Sequence, residues 1–155
     1  MPQFSISRQV ELAQPQAFAI AADVNAYKEF IPLLKRSNIR GARKRDGAVE
    51  SFDADLQVGY EKLSVHETFT SHVTTDHDRC TVTAISTDGP IKNLKAVWKI
   101  ESISENKSQV SFVVDYTLKN KLLQVIVGGM TDFAAQKIMT AFEARGRALY
   151  GAVSS

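Results

Sequence analysis

The chain has 155 residues, 44% of them hydrophobic and 23% charged, with a formal net charge of +2. This length predicts a single domain, residues 1–155, with a substantial core. So small an excess of positive charge neither favours nor excludes nucleic-acid binding. One cysteine, Cys80, excludes an internal disulfide and favours a reducing, cytoplasmic setting. The longest strongly apolar run, 122–130, is far below the ~18 residues that span a bilayer, so no integral membrane protein is expected.

The N-terminal region is predicted to contain one strand followed by two short helices. Apolar residues alternate with polar ones from Phe4 to Leu12, which predicts a half-buried strand. Residues 16–24 and the turn around Tyr27 and Phe30 predict two short helices, the second ending at Pro32.

Six further strands are predicted between residues 37 and 118, because period-two patterns alternate there with turn signals. Cys80 falls within one of these patterns, in phase with Val82 and Ala84, and is expected to be a small core residue. The turn signals lie at Arg45-Asp46-Gly47, Asp76-His77-Asp78, Asp88-Gly89-Pro90 and Ser104 to Ser108.

Residues 120–150 carry an apolar stripe at spacings of three and four, which predicts one helix about 45 Å long. Seven strands with one apolar face each need a covering layer, and only this helix is long enough to supply it. The predicted fold is therefore α+β, a curved antiparallel sheet of about seven strands around a long C-terminal helix, with two short helices after the first strand. A twisted sheet around one helix leaves interior space unless large side chains fill it.

The inward face supplies candidate walls for a cavity that would hold an apolar ligand. The polar atoms of Trp98 or Tyr116 are candidate hydrogen-bond donors to that ligand. The predicted lining residues are Phe52, Leu56, Val58, Val65, Phe69, Trp98, Phe112, Tyr116, Leu123, Val127, Met130 and Ala134.

Two charged residues, Glu67 and Arg8, share the parity of inward-facing apolar residues. A buried charge needs a partner, so we expect a structural pair, or for Glu67 a β-bulge that turns it outward. The other reading for Glu67 is a polar contact to a ligand headgroup.

Residues 35–45 hold six basic residues in eleven. They predict either an edge hairpin that uses charge against aggregation or a contact for anionic lipid or RNA. The candidate contact residues are Arg40, Arg43, Lys44 and Arg45.

Nothing in the chain indicates catalysis, and no cofactor or metal is expected. The three histidines, His66, His72 and His77, have no metal-ligand spacing and are expected at the surface. The pair Gly128-Gly129 inside the C-terminal helix has two readings, close packing against a bulky residue or a hinge.

Four segments in order resemble the coenzyme Q-binding START-domain family, which is related to polyketide cyclase-like proteins and to ribosome association toxins. The match spans nearly the whole chain, although many relatives have Trp-Cys where this chain has Leu33-Leu34. The segments are Asp23 to Pro32, Val58-Gly59-Tyr60 with Phe69-Thr70-Ser71, Thr87 to Leu94 with Trp98, and Ala141 to Arg145 leading to Leu149-Tyr150-Gly151.

The resemblance implies a helix-grip fold of the START or Bet v 1-like type. It also implies ubiquinone binding without catalysis, in support of respiratory electron transport or quinone biosynthesis. Peripheral contact with an anionic inner membrane is a separate expectation that follows from the basic residues of 35–45. Two alternatives stay open: a toxin-like protein that blocks association of ribosomal subunits, and an enzyme of cyclase or hydrolase type.

Overall fold

The structure is a computed structural model that describes residues 3–31, 34–60, 65–129 and 131–151. Its seven strands form one antiparallel sheet in the order β1-β7-β6-β5-β4-β3-β2. The strands are β1 Gln3–Val10, β2 Leu34–Asp46, β3 Val49–Tyr60, β4 Val65–Asp76, β5 Thr81–Ser86, β6 Ile91–Ser104 and β7 Lys107–Leu118. The helices are α1 Gln14–Ala22, a 3-10 helix Val24–Glu29, α2 Lys121–Gly128 and α3 Thr131–Tyr150. The predicted fold class is confirmed.

Two predicted turns contain glycines in the left-handed region that favours this residue. Gly47 has φ 62° in the β2–β3 turn, and Gly89 has φ 58° in the loop before β6. At Gly89 an added Cβ would also lie 2.7 Å from the carbonyl oxygen of Thr68. This close approach joins the 88–90 loop to β4.

Cys80 is not on a strand, contrary to the sequence prediction. It occupies the turn before β5 with φ 52° and is half-buried at the edge of the core. Its Sγ contacts the carbonyl oxygen of His77 at 3.6 Å. Burial, with Asp76 and Asp78 nearby, raises the pKa of the thiol. The alternation with Val82 reflects a turn residue in phase with the strand that follows it.

The predicted single helix over 120–150 is two helices. The α2 helix ends at Gly128, Gly129 lies in a turn whose N–H donates to the Val125 carbonyl at 3.2 Å, and α3 begins at Thr131. Paired glycines weaken a helix, which explains the break at this position. The packing reading fails at Gly128, because a Cβ added there meets no atom within 4 Å.

Antiparallel pairing sorts the connections into two ends of the sheet. The hairpin end holds the turns at 47–48, 77–80 and 105–106, and the α2 end holds the 87–90 loop, the start of β2 and α2 itself. The core is centred on Trp98, whose ring stacks on Phe112 and Phe142 with centroids 4.1 and 5.3 Å away. These stacked rings join the sheet to α3.

Candidate functional site

The concave face of the sheet is packed at the hairpin end and open at the α2 end. Inward residues near the hairpin end are at most 3% exposed: Phe52, Val73, Val82, Ile100 and Val110. On β3, β5 and β6 the inward residues nearer the α2 end are only half-buried: Leu56, Val58, Ala84, Leu94 and Ala96. On β4 and β7 the residues at this level, Phe69 and Tyr116, stay buried. The α2-end half of this face is therefore apolar but incompletely covered by the protein's own side chains.

The open half results from the position of the helices and from small side chains. Helix α3 packs chiefly on β1 and α1, and it reaches the centre of the sheet through Phe142, which stacks on Trp98. Ala84 and Ala96 are cross-strand partners at that centre, and Ala96 also pairs with Val114. Short side chains on a concave surface leave room that large ones would fill. This region, the open half, is the candidate site.

The twelve predicted lining residues divide into three groups. Those that are half-buried are Leu56, Val58, Val127 and Ala134. Those that are buried in the core are Phe52, Phe69, Trp98, Phe112 and Tyr116. The side chains of Val65 and Leu123 and the residue Met130 lie outside what the structure describes.

The indole of Trp98 lies near the hydroxyl of Tyr27 and lowers the pKa of that hydroxyl. That hydroxyl donates to the carbonyl oxygen of Ala21. Burial, and secondarily the charge of Asp23, raises the pKa of Tyr27 well above its ordinary value, and the contact with Trp98 offsets a small part of this. Trp98 therefore serves first as a core residue that ties the 3-10 helix to the sheet.

Tyr116 is the better placed polar donor. Its ring packs edge-on against Phe4, with centroids 6.3 Å apart, and burial raises the pKa of its hydroxyl. Across the described residues, none forms a hydrogen bond with this hydroxyl. It remains a neutral donor on the inward face of β7, next to half-buried Leu94 on β6.

Glu67 faces inward, as its parity predicts. The β3–β4 register is unbroken, pairing Glu67 with Val58 and Phe69 with Leu56, so the expected bulge is wrong. The carboxylate is half-buried, and in the described ranges it has neither an ion pair nor a hydrogen bond. The alternative of a structural pair also fails within those ranges. Glu67 places an acceptor on the rim of the open half.

Arg8 has the partner that its inward position requires. Its guanidinium contacts Glu143 at 2.6 Å, Gln136 at 2.7 Å and Thr140 at 3.2 Å, all on α3. The prediction of a structural pair is confirmed. This cluster fastens α3 to the edge strand β1.

The basic hairpin is partly neutralised by acids on its neighbouring strand. Arg40 pairs with Asp55 at 3.1 Å, and Arg43 pairs with Glu50 at 2.8 Å. The Arg45 Nε donates to the carbonyl oxygen of Gly47. Lys44 is exposed and has no carboxylate partner in the part of the chain that the structure describes. The sequence analysis missed these pairings, because they depend on the register between β2 and β3.

A polar cleft of about 330 Å³ lies at the hairpin end, between α1 and the β2–β3 hairpin. Arg43 and Arg45 line it opposite Asp23 and Glu50, with Phe52 at its base. Positive and negative groups balance in this cleft. It offers no single charge for a ligand to match.

The histidines are exposed, as predicted. His72 contacts Asp53 at 2.9 Å, and the His77 ring lies edge-on to Phe18. In the described ranges, no group of three or more His, Cys, Asp or Glu side chains is arranged to hold a metal ion.

Buried hydroxyls on the sheet are engaged by backbone carbonyls. Ser71 donates to Ile85, Ser86 to Thr70, and Ser108 to Leu12. A hydroxyl held in this way satisfies the backbone and is not activated by a neighbouring base. Within the described residues, the polar groups of the inner face that have no hydrogen-bond partner are those of buried Tyr116 and half-buried Glu67.

Among the described residues, no helix is both long and apolar enough to cross a membrane.

Comparisons with known proteins place this geometry in context. Residues 10–143 match the family model described as polyketide cyclase/dehydrase and lipid transport. The ribosome association toxin RatA of Escherichia coli K12 is 26% identical over 152 residues, covering 98% of this chain and 91% of that protein. The mitochondrial coenzyme Q-binding protein coq10 of Schizosaccharomyces pombe is 29% identical over 126 residues, covering 81% of this chain and 74% of that protein.

Solved structures share the fold. An 18 kDa protein from Caulobacter crescentus has a TM-score of 0.81 at 30% identity, covering 98% of this chain and all of that one. The Zhui aromatase/cyclase from Streptomyces has a TM-score of 0.73 at 15% identity, covering 97% of this chain and 99% of that one. The second likeness concerns the fold alone.

Proposed function

The chain belongs to the polyketide cyclase/dehydrase and lipid-transport family, and we propose that it binds ubiquinone or a similar polyprenyl lipid in the open half and transfers it without converting it. The observation that carries this proposal is the gradient along the concave face, from tightly packed to half-covered apolar side chains. The relative named as a coenzyme Q-binding protein supports the choice of ligand. In this role the lipid is the bound ligand, and no cofactor is needed.

The polar groups of the open half suit a quinone or quinol head. The Tyr116 hydroxyl is a neutral donor that matches a quinone carbonyl, and Glu67 is an acceptor that matches a quinol hydroxyl. Few polar groups on an apolar wall are typical of sites that orient a ligand. They select the head, while the apolar wall accommodates the tail.

Transfer without conversion is supported by the chemistry of the inner face. Within the described residues it holds no nucleophile next to a base, since its serines donate to backbone carbonyls. An enzyme of cyclase or hydrolase type would need an acid, base or nucleophile within reach of the ligand. Conversion of a bound polyketide or ester by the protein would contradict this part of the proposal.

The energetics of such a carrier are set by exchange of the lipid between the bilayer and the protein. Each methylene buried from water gains about 0.8 kcal/mol, so a polyprenyl tail does not travel free. In a bilayer the tail already lies among apolar groups, and the open half gains almost nothing relative to that state. The protein therefore changes the rate and route of lipid movement more than its equilibrium.

The direct test is organic extraction of the purified protein, followed by mass spectrometry. Protein from a quinone-making cell should carry sub-stoichiometric ubiquinone. A second measurement uses the single tryptophan, Trp98, which adjoins the open half. Titration with a short-chain ubiquinone should quench its fluorescence. No quinone in extracts, together with no quenching and no uptake from liposomes, would overturn the proposal.

A matched pair of variants locates the binding. Ala96→Leu adds bulk inside the open half, whereas Lys95→Leu adds it on the exposed opposite face of the same strand. The first should weaken quinone binding at least tenfold with little loss of stability, because the side chain enters unfilled space. The second should bind as the unmodified protein does. Equal quinone affinities of the two variants would show that the ligand does not bind in the open half.

Ribosome binding is the second candidate, because relatives at 26% identity over nearly the whole chain are named ribosome association toxins. Its natural surface would be the basic hairpin, where Lys44 and Arg45 are exposed. The test is co-sedimentation with 50S and 30S subunits at two salt concentrations. Loss of co-sedimentation in Lys44→Gln/Arg45→Gln, with quinone binding absent, would favour this candidate.

A further inference from the structure

The first helix of the C-terminal pair exposes its apolar side chains to solvent. Leu122 is 70% exposed and Val125 is 72% exposed, and three-residue spacing puts them on one face of α2. Phe133, in the first turn of α3, is 64% exposed. Apolar residues gathered on a helix face in this way usually mark an interaction surface. Leu122 and Val125, with Lys119 and Lys121, define the α2 surface.

The attachments of α2 to the rest of the protein are few in the described residues. The Gln124 side chain accepts a hydrogen bond from the Leu118 N–H at 2.7 Å, and Val127 packs at the core edge. The break at Gly129 separates α2 from α3, and the space around Gly128 is open.

Lysines lie around the first turn of α2. Lys119 and Lys121 flank its first turn, and Lys92 lies in the β6 bulge opposite 117–118. The Lys119 N–H donates to the Pro90 carbonyl, which holds this segment against the 88–90 loop. Carboxylates lie at this end as well. Asp88 accepts a hydrogen bond from the Thr70 N–H, Asp132 lies at the start of α3, and Glu67 lies on the rim of the open half.

We propose that the protein docks on membranes rich in anionic phospholipid through the α2 surface. Aliphatic side chains beside lysines match an interfacial helix, whose apolar groups enter the acyl boundary while the lysines reach the phosphates. A bilayer satisfies both features at once. The docking proposal rests on the α2 surface alone and does not depend on the proposed function. Because α2 lies at the same end as the open half, docking would also bring that site to the membrane, and this second step rests on the proposed function.

The hairpin end is a poorer membrane surface. Arg40 and Arg43 are paired with carboxylates there. The exposed large apolar residues of this end, Val49 at 36% and Ile103 at 47%, are less exposed than Leu122 and Val125. This separates the two surfaces experimentally.

The experiment is co-flotation with vesicles of phosphatidylcholine, with or without about one third phosphatidylglycerol. Leu122→Glu/Val125→Glu should lower partition onto the anionic vesicles by more than about tenfold, because two apolar groups no longer insert. Lys119→Gln/Lys121→Gln should lower it severalfold and reduce its salt dependence. Neither variant should change the melting temperature, since all four side chains are exposed.

The matched control is Ile103→Glu, an apolar residue 47% exposed at the hairpin end of β6. It should partition as the unmodified protein does. The proposal is overturned if the unmodified protein does not float, if the control loses as much as the α2 variant, or if the α2 surface instead holds a dimer that the double variant dissociates. Quenching of Trp98 by soluble short-chain ubiquinone, measured in parallel, reports the proposed function independently of docking.

Discussion

The two halves of the concave face differ in packing although the same strands cross both. At the hairpin end, Ile100 on β6 is 1% exposed, while Leu94, six residues earlier on the same face, is half-buried. The hairpin end is closed by α1 and α3, and the α2 end is covered by a short helix that glycines separate from α3. One strand can therefore contribute both to stability and to ligand binding at different positions.

Truncation of matched residues should give the largest effect and tests the comparison directly. Ile100→Ala removes packed groups and should lower the free energy of unfolding by about 2–5 kcal/mol. Leu94→Ala, on the open half, should cost about 1 kcal/mol because less contact is lost. Denaturant unfolding measures both. Quinone affinity should fall for Leu94→Ala and stay unchanged for Ile100→Ala, and equal stability losses would contradict the division.

Alkaline pH distinguishes Tyr27, which ties the 3-10 helix to the core, from Tyr116 on β7. The folded state raises the pKa of Tyr27 above its ordinary value of 10.0, so the hydroxyl stays protonated while the unfolded chain ionises. The stabilisation is complete below pH 10 and is lost above it, by up to about 1.4 kcal/mol per pH unit. Thermal unfolding from pH 8 to 11 measures this slope. Tyr27→Phe should flatten it more than Tyr116→Phe, and an unchanged slope in Tyr27→Phe would show that another group causes the loss.

The hinge at the α2 end is tested by Gly128→Ala. No atom lies within 4 Å of the added Cβ, so the methyl group meets no obstacle. Alanine should raise the free energy of unfolding by about 0.5–1 kcal/mol through helix propensity. On the hinge reading, ligand exchange with liposomes also slows. A more stable variant with the original exchange rate would exclude the hinge.

The smallest effect is expected at the basic hairpin. Lys44→Gln/Arg45→Gln changes two exposed side chains that have no carboxylate partner in the described ranges. Stability should change by less than about 0.5 kcal/mol. Partition onto anionic vesicles should change less than for Lys119→Gln/Lys121→Gln. A loss of up to about 1 kcal/mol of binding per charge would instead make the hairpin the membrane contact.

Local patterns predicted most of the fold. Period-two alternation and turn signals together identified all seven strands, and the glycines at 47 and 89 marked turns that positive φ confirms. The period-two pattern alone could not show that Cys80 lies in a turn, because its position is in phase with the inward residues of β5. It also continued the C-terminal helix through Gly128-Gly129, since the apolar stripe resumes beyond the break.

Sequence by itself determined which residues face inward, because side-chain direction follows from strand parity, and Arg8 and Glu67 both obey it. Tertiary structure decided what each inward residue meets. Arg8 reaches Glu143 across more than 130 positions of sequence, and Glu67 meets no partner in the described residues. The division into packed and open halves likewise depends on where α3 and α2 lie over the sheet. No local sequence pattern encodes the position of a helix relative to strands that are distant in sequence.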